Sequence, residues 1–351
     1  MVDTNDYFKN RNIKTEDKIN DLLTELPTFC MEFIYGISNN STALTRLNYT
    51  YDLRVFFYYL SQIKRKKIDE IDLSLLETLT AFDLERFLNY LSSYKFNGVN
   101  HSCNERAKAR KLATIRALYK YFFDRDKIKI NVAAKVKTPK LHDKEIIRLE
   151  NYEVEKLLDY AESDDAFSGR KNTYHSKLKV RDFAILMLLL GTGIRISELV
   201  GLNVDDFDFT ELSFSVTRKG GNRATLYFNE EVRGSLEAWL DYRYDLKEVS
   251  RDELAMFLSL KNQRISVRSV QVLVKAYTKE VTPLKKITPH KLRSTFGTNL
   301  YRLTGDIYAV ADFLGHKDVN TTKKHYAAIS QDTRKLAADT VKLRRNQNDN
   351  K

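Results

Sequence analysis

The chain is 351 residues long, more than one typical domain and suited to two, each with its own core. Lysine and arginine number 59 against 47 acids, a formal net charge of +12 that suits a polyanionic partner: DNA, RNA or an anionic membrane surface. The cysteines, Cys30 and Cys103, have no metal-ligand spacing around them, and no leader pattern or apolar run longer than "FAILMLLLG" from Phe183 is present, so a disulfide framework, a zinc site, export and membrane insertion are excluded in favour of a reducing cytoplasm.

From Lys18 to Asp126 the apolar spacing predicts four or five amphipathic helices, with about twenty residues ahead of the first and no strand between them. They include "LTRLNYTYDLRVFFYYLSQI" from Leu44 and "FDLERFLNYLSSY" from Phe82. Positive charge is concentrated next: between His101 and Arg148 there are fourteen Lys and Arg against five acids. There "NERAKARKLATIRALYKYFFDR" puts Leu112, Ile115, Tyr119 and Phe122 on one buried stripe and leaves Arg106, Arg110, Lys111 and Arg116 off it. A basic binding face and a merely solvated lysine-rich face both fit that pattern.

Pro139, in the basic "KVKTPKLHDKEIIRL", blocks helix and places an interdomain linker at 138–148. A domain over 149–345 then opens with the helical patterns "NYEVEKLLDYAE" and "SKLKVRDFAILMLLL". It changes character at "LSFSVTRKGGNRATLYFN", where two β-rich runs flank Lys219, Gly220, Gly221 and Asn222 as a hairpin. Beyond Glu230 the pattern is helical to the end, closing with "QDTRKLAADTVKLRRN". The expected fold class is mainly α with a small β-sheet, a helical domain over 1–137 followed by an α+β domain.

Candidate chemistry lies in the second domain. "GTGIRISELVGL" sets Arg195 just beyond two glycines, preorganised either for a bidentate grip on a phosphate or, more blandly, for pairing with Glu198 beside a capped helix end. In "TPHKLRSTF", Thr288 is a plausible N-cap, and His290 and Arg293 stand three apart on one helix face; a His-x-x-Arg pair alone is a weak signal. Lys219 at a hairpin tip is ordinary turn chemistry by itself. In "GHKDVNTTKKHY", His316 and His325 lie nine residues apart without acidic partners, so no metal is implied, and Tyr326 is one of twenty tyrosines.

The order of these elements, Arg, hairpin Lys, His-x-x-Arg, Gly-His and Tyr, resembles that of the tyrosine recombinases, the phage integrase family. The resemblance covers nearly the whole chain. It is greatest to the Xer type, and the "VTRKGG" hairpin, the "ITPHKLRSTFGTNLY" helix and the length point to the single-recombinase XerS branch. It implies a DNA-binding core-binding domain at 1–137 and a catalytic domain with a three-stranded sheet and a C-terminal interaction helix.

It also implies residue roles: Arg195 and Arg293 clamp a phosphate, His290 and His316 hydrogen-bond it and handle protons, Lys219 is the general acid, Tyr326 the nucleophile, and Glu198 supports Arg195. Tyr326 follows His316 by ten residues where nine is commoner in the family. No Walker loop or carboxylate cluster is present, so no cofactor, Mg²⁺ or ATP is expected. The implied partners are double-stranded DNA with paired half-sites, three further copies of the chain in a synaptic homotetramer, and a DNA translocase of the FtsK type. The implied role is resolution of chromosome dimers at a dif-like site during cell division. Integration or excision of a mobile element, and DNA binding without catalysis, are the alternatives; the short stretch expected ahead of the first helix favours the Xer role.

Overall fold

The computed structural model describes residues 5–141, 147–164, 167, 170–218, 221–246, 253–315 and 319. The chain divides into two compact units, Met1–Lys144 and Glu145–Lys351.

The first unit contains α1 (Asn5–Leu23), α2 (Phe29–Gly36), α3 (Ala43–Lys64), α4 (Leu73–Thr78), α5 (Ala81–Tyr90), strands β1 (Tyr94–Phe96) and β2 (Val99–His101), and α6 (Glu105–Phe123). Short polar side chains start the helices where local chemistry requires: Thr42 accepts from the Thr45 N–H, Asp72 from Leu75 and Asn104 from Ala107. Leu112, Ile115, Tyr119 and Phe122 are all buried against Phe33, Phe56, Phe57 and Phe87, so the stripe on α6 is a core stripe.

Three expectations for this unit are corrected. First, α1 begins at Asn5; its first turns carry no buried apolar period, because burial starts at Ile19 and Ile13 is exposed. Second, β1 and β2 form an antiparallel hairpin joined by Asn97 and Gly98, both at positive φ. An Asn-Gly pair is a strong signal for such a two-residue turn, but the strands are three residues each and too short to show alternation. Third, the basic side chains of α6 do not form one free face. Lys111 is buried and Arg110 reaches back, both onto the buried Asp52 of α3 at 2.8 and 2.7 Å, with Thr114 donating to its other oxygen at 3.0 Å. Arg116 donates to the carbonyls of Ala133 and Val136 and to Thr138. A buried carboxylate must be paired, and these cations are what pairs it. Arg106 remains exposed, as do Lys64, Arg65, Lys66 and Lys67 at the end of α3.

The second unit contains α7 (Asn151–Glu162), α8 (Arg170–Thr192), α9 (Ile196–Leu199), strands β3 (Phe207–Asp208), β4 (Ser213–Thr217) and β5 (Arg223–Tyr227), then α10 (Glu230–Tyr244), α11 (Val267–Val281), α12 (Pro289–Thr304) and α13 (Ile307–Phe313). The apolar run of α8 is buried from Ala184 to Leu189, and this helix packs on α7, α10 and α12. The sheet is antiparallel in the order β3-β4-β5, with Phe214 opposite Leu226 and Thr217 opposite Arg223. Phe214, Val216 and Leu226 point into the core while the intervening residues of β4 are half-buried, the alternation of a one-sided sheet.

Ahead of α11, the described residues from Ala255 to Ile265 are extended rather than helical. Ala255 bridges Asn203 and Leu258 bridges Arg264, and the short buried run from Ala255 to Leu258 suits a strand-like pass through the core. Arg264 fixes it by donating to the carbonyls of Val200 and Leu202, immediately after α9. The expected final helix "QDTRKLAADTVKLRRN" lies outside the described residues. Among the described residues no helix is long and apolar enough to cross a membrane.

Candidate active site

The site is assembled where α8, α12 and α13 end or begin. Helix α8 stops at Thr192, and Gly193 follows at φ +61, a left-handed geometry that favours glycine. A side chain at this glycine would collide with Phe296 of α12, since a Cβ would lie 2.4 Å from its Cδ1. Two residues on, Arg195 occupies the N-cap of α9, and its backbone N–H donates to Glu198 Oε2 at 3.0 Å.

The Arg195 guanidinium faces two ways. One nitrogen donates to Glu198 Oε1 at 2.8 Å, and Glu198 is itself buried. The other donates to the carbonyls of Leu314, at 3.1 Å, and Gly315, at 2.9 Å. Arg195 thus pairs with Glu198 beside a glycine-capped helix end, and its guanidinium is held in a fixed orientation about a third of the way open to solvent.

Arg293 arrives from α12. It is 5% exposed and donates to the carbonyls of Gly193 and Leu314. The two arginines thus meet at Leu314, the residue after α13. His290, one turn earlier on α12, is exposed. Thr288 sits at the N-cap of α12 as expected, but its hydroxyl makes no capping bond; Pro289 at the first helical position leaves one N–H fewer to cap. Lys219, His316 and Tyr326 lie outside the described residues.

Two participants were absent from the sequence reading. The carbonyls of Leu314 and Gly315 bind the arginines, and a backbone acceptor leaves no mark on residue type. Arg218, the last residue before the hairpin tip, lays its guanidinium against Gly315, where a Cβ would meet its central carbon at 2.4 Å. Gly315 itself has φ +58. A fixed cluster of guanidiniums in this arrangement is suited to holding a tetrahedral oxyanion.

Residues 148–332 match the phage integrase family. The chain belongs to that family, the tyrosine recombinases. It is thereby a site-specific DNA recombinase, of Xer type and XerS-like. The tyrosine recombinase XerC of Caldanaerobacter subterraneus subsp. tengcongensis is 34% identical over 288 residues, covering 78% of this chain and 75% of its own. XerS of Lactococcus lactis subsp. cremoris is 30% identical over 333 residues, covering 85% and 93%. The fold of this tyrosine recombinase is also that of the XerH site-specific recombinase in a post-cleavage complex with a palindromic difH substrate. That likeness has a TM-score of 0.68 at 18% identity, over 92% of this chain and 88% of the other.

Proposed function

We propose that this recombinase cuts and rejoins duplex DNA through a 3′-phosphotyrosine intermediate, with Tyr326 as nucleophile. The observation that carries the reading is the meeting of Arg195 and Arg293 at the carbonyl of Leu314, two residues before His316. Tyr326 Oη bonds to phosphorus as the bond from phosphorus to the 5′ oxygen breaks. The phenol, with an ordinary pKa near 10, passes its proton to a neutral imidazole, His290 or His316, as the cationic cluster stabilises the phenolate, and the departing 5′ oxygen takes a proton from Lys219. Arg195 and Arg293 meet the nonbridging oxygens, where negative charge grows, and His290 and His316 hydrogen-bond the same group. The phosphotyrosine keeps the energy of the broken bond, so a 5′ hydroxyl can reverse the step without ATP.

In this reading the helical domain at 1–137 and the catalytic domain at 149–345, joined at 138–148, grip duplex DNA with paired half-sites, and Lys64, Arg65, Lys66, Lys67 and Arg106 contact phosphates. Four copies form the synaptic complex, each C-terminal helix docking on a neighbour. The similarity to XerC and XerS supports chromosome dimer resolution at a dif-like site, with an FtsK-type translocase as partner. The test is a nicked suicide duplex: the native chain should become covalently trapped and Tyr326→Phe should bind without trapping. Mapping protected genomic DNA then separates the roles, since a single site near the replication terminus supports dimer resolution and the ends of a mobile element would replace it with integration.

A further inference from the structure

We propose that Arg218 is a third guanidinium of the anion site, donating to the scissile phosphate beside Arg195 and Arg293; the proposal rests on the phosphoryl-transfer reading above. Arg218 directly follows strand β4. Its backbone N–H donates to Asn222 at 2.8 Å and its carbonyl accepts from Gly221 at 3.0 Å, so the residue is anchored at both sides of the hairpin tip. Its side chain reaches Gly315, and the guanidinium occupies the space that a side chain at Gly315 would take. The carbonyl of the same Gly315 binds Arg195 at 2.9 Å. One residue's backbone therefore separates the two guanidiniums.

Two features make this contact more than packing. Arg218 Nε is buried without a hydrogen-bond partner, and no carboxylate pairs with this side chain among the described residues. Leaving a buried donor on a cation unsatisfied is costly, and an arriving oxyanion is the partner that repairs it. The site also gathers three guanidiniums around Leu314 and Gly315 while Glu198 bonds only Arg195. Guanidiniums converging on one backbone turn give the electrostatics of an anion cradle. Glycine at 315 has a second reason here beyond its positive φ: any side chain would displace Arg218.

The test compares Arg218→Met, which keeps an apolar stem over Gly315 without the charge, with Arg218→Lys and the native chain. Each is given duplex substrates bearing either a phosphodiester or an uncharged methylphosphonate at the scissile position. Arg218→Met should slow cleavage of the phosphodiester by about 10²-fold, and its deficit should shrink by about tenfold or more on the methylphosphonate, where less charge needs stabilising. Arg218→Lys should fall between. Independently of cleavage, the slope of log affinity against log salt should flatten by about 0.9 in Arg218→Met, as for one lost phosphate contact. An equal deficit on both linkages would mark Arg218 as a hairpin brace and overturn the proposal, as would an unchanged salt slope. A native chain that traps neither substrate would instead remove the recombination chemistry itself, while the salt slope would still decide the contact.

Discussion

Arg195 and Arg293 donate to one acceptor, the carbonyl oxygen of Leu314. Arg195 comes from the loop after α8, Arg293 from the N-terminal part of α12, and the shared carbonyl follows α13, so three elements are registered on a single atom. The arrangement preorganises both guanidiniums before any substrate arrives.

Removing either arginine should therefore lower cleavage by roughly 10²- to 10³-fold, the usual cost of one transition-state donor. The double alanine variant should lose less than the product of the two, because each single loss already disturbs the common carbonyl and the common phosphate. Single-turnover cleavage of a suicide duplex by the four proteins checks this. Arg293→Lys should rescue little, since an ammonium cannot span the carbonyls of Gly193 and Leu314 while offering further donors. Multiplicative losses would show that the two act independently.

Gly193→Ala tests the same junction from the backbone. The substitution meets a positive φ of +61 and places a methyl 2.4 Å from Phe296 Cδ1, so it should cost more than about 1 kcal/mol in urea unfolding and reduce cleavage by displacing the Gly193 carbonyl from Arg293. Adding Phe296→Ala should restore part of the activity, by removing the clash but not the backbone strain. No recovery in the pair would assign the whole effect to φ.

Much of this architecture was legible in the chain. The stripe on α6, the β4–β5 hairpin and the position of Arg195 beyond two glycines all follow from periodicity and turn chemistry, which act locally. What stayed hidden depends on partners distant in sequence. Lys111 looks like any solvent-facing lysine until Asp52 is found beneath it. Leu314 and Gly315 serve the site through carbonyl oxygens, which every residue has. Arg218 reads in the sequence as an ordinary basic residue beside a turn and is distinguished only by what it lies against. The Asn97–Gly98 turn is a different case: its signal was local and strong, and the shortness of the flanking strands masked it.

A pH-dependent contribution to stability is expected at the start of α5. The Thr80 hydroxyl donates to Asp83 at 2.7 Å and the Thr80 backbone N–H at 2.8 Å, and in that order they hold the Asp83 carboxyl below its ordinary value. A depressed carboxylate stabilises the fold above its unfolded pKa, near 3.9, and loses that contribution as pH falls through its lower folded value. Thr80→Ala should thus cost about 1 kcal/mol at neutral pH. The gap between variant and native chain in denaturant unfolding should narrow below about pH 4. A gap independent of pH would mean that the hydroxyl, not the charge it supports, carries the cap.

Lys219 poses the sharpest choice between an ordinary turn residue and a catalytic one. A solvated tip lysine should be replaceable by alanine with little effect. A general acid must instead protonate the 5′ oxygen as it leaves, and its loss commonly costs 10² to roughly 10⁴ in rate. Lys219→Ala should bind DNA normally and cleave slowly. Replacing the bridging 5′ oxygen by sulfur makes the leaving group a thiolate, whose conjugate acid has a pKa near 8.5, so it departs without a proton donor. That substrate should restore cleavage by Lys219→Ala. It should do far less for Arg195→Ala, whose missing charge stabilisation acts on the nonbridging oxygens and not on the leaving atom. Equal rescue of both variants, or none of Lys219→Ala, would move the proton donor to His290 or to water and leave Lys219 as part of the turn.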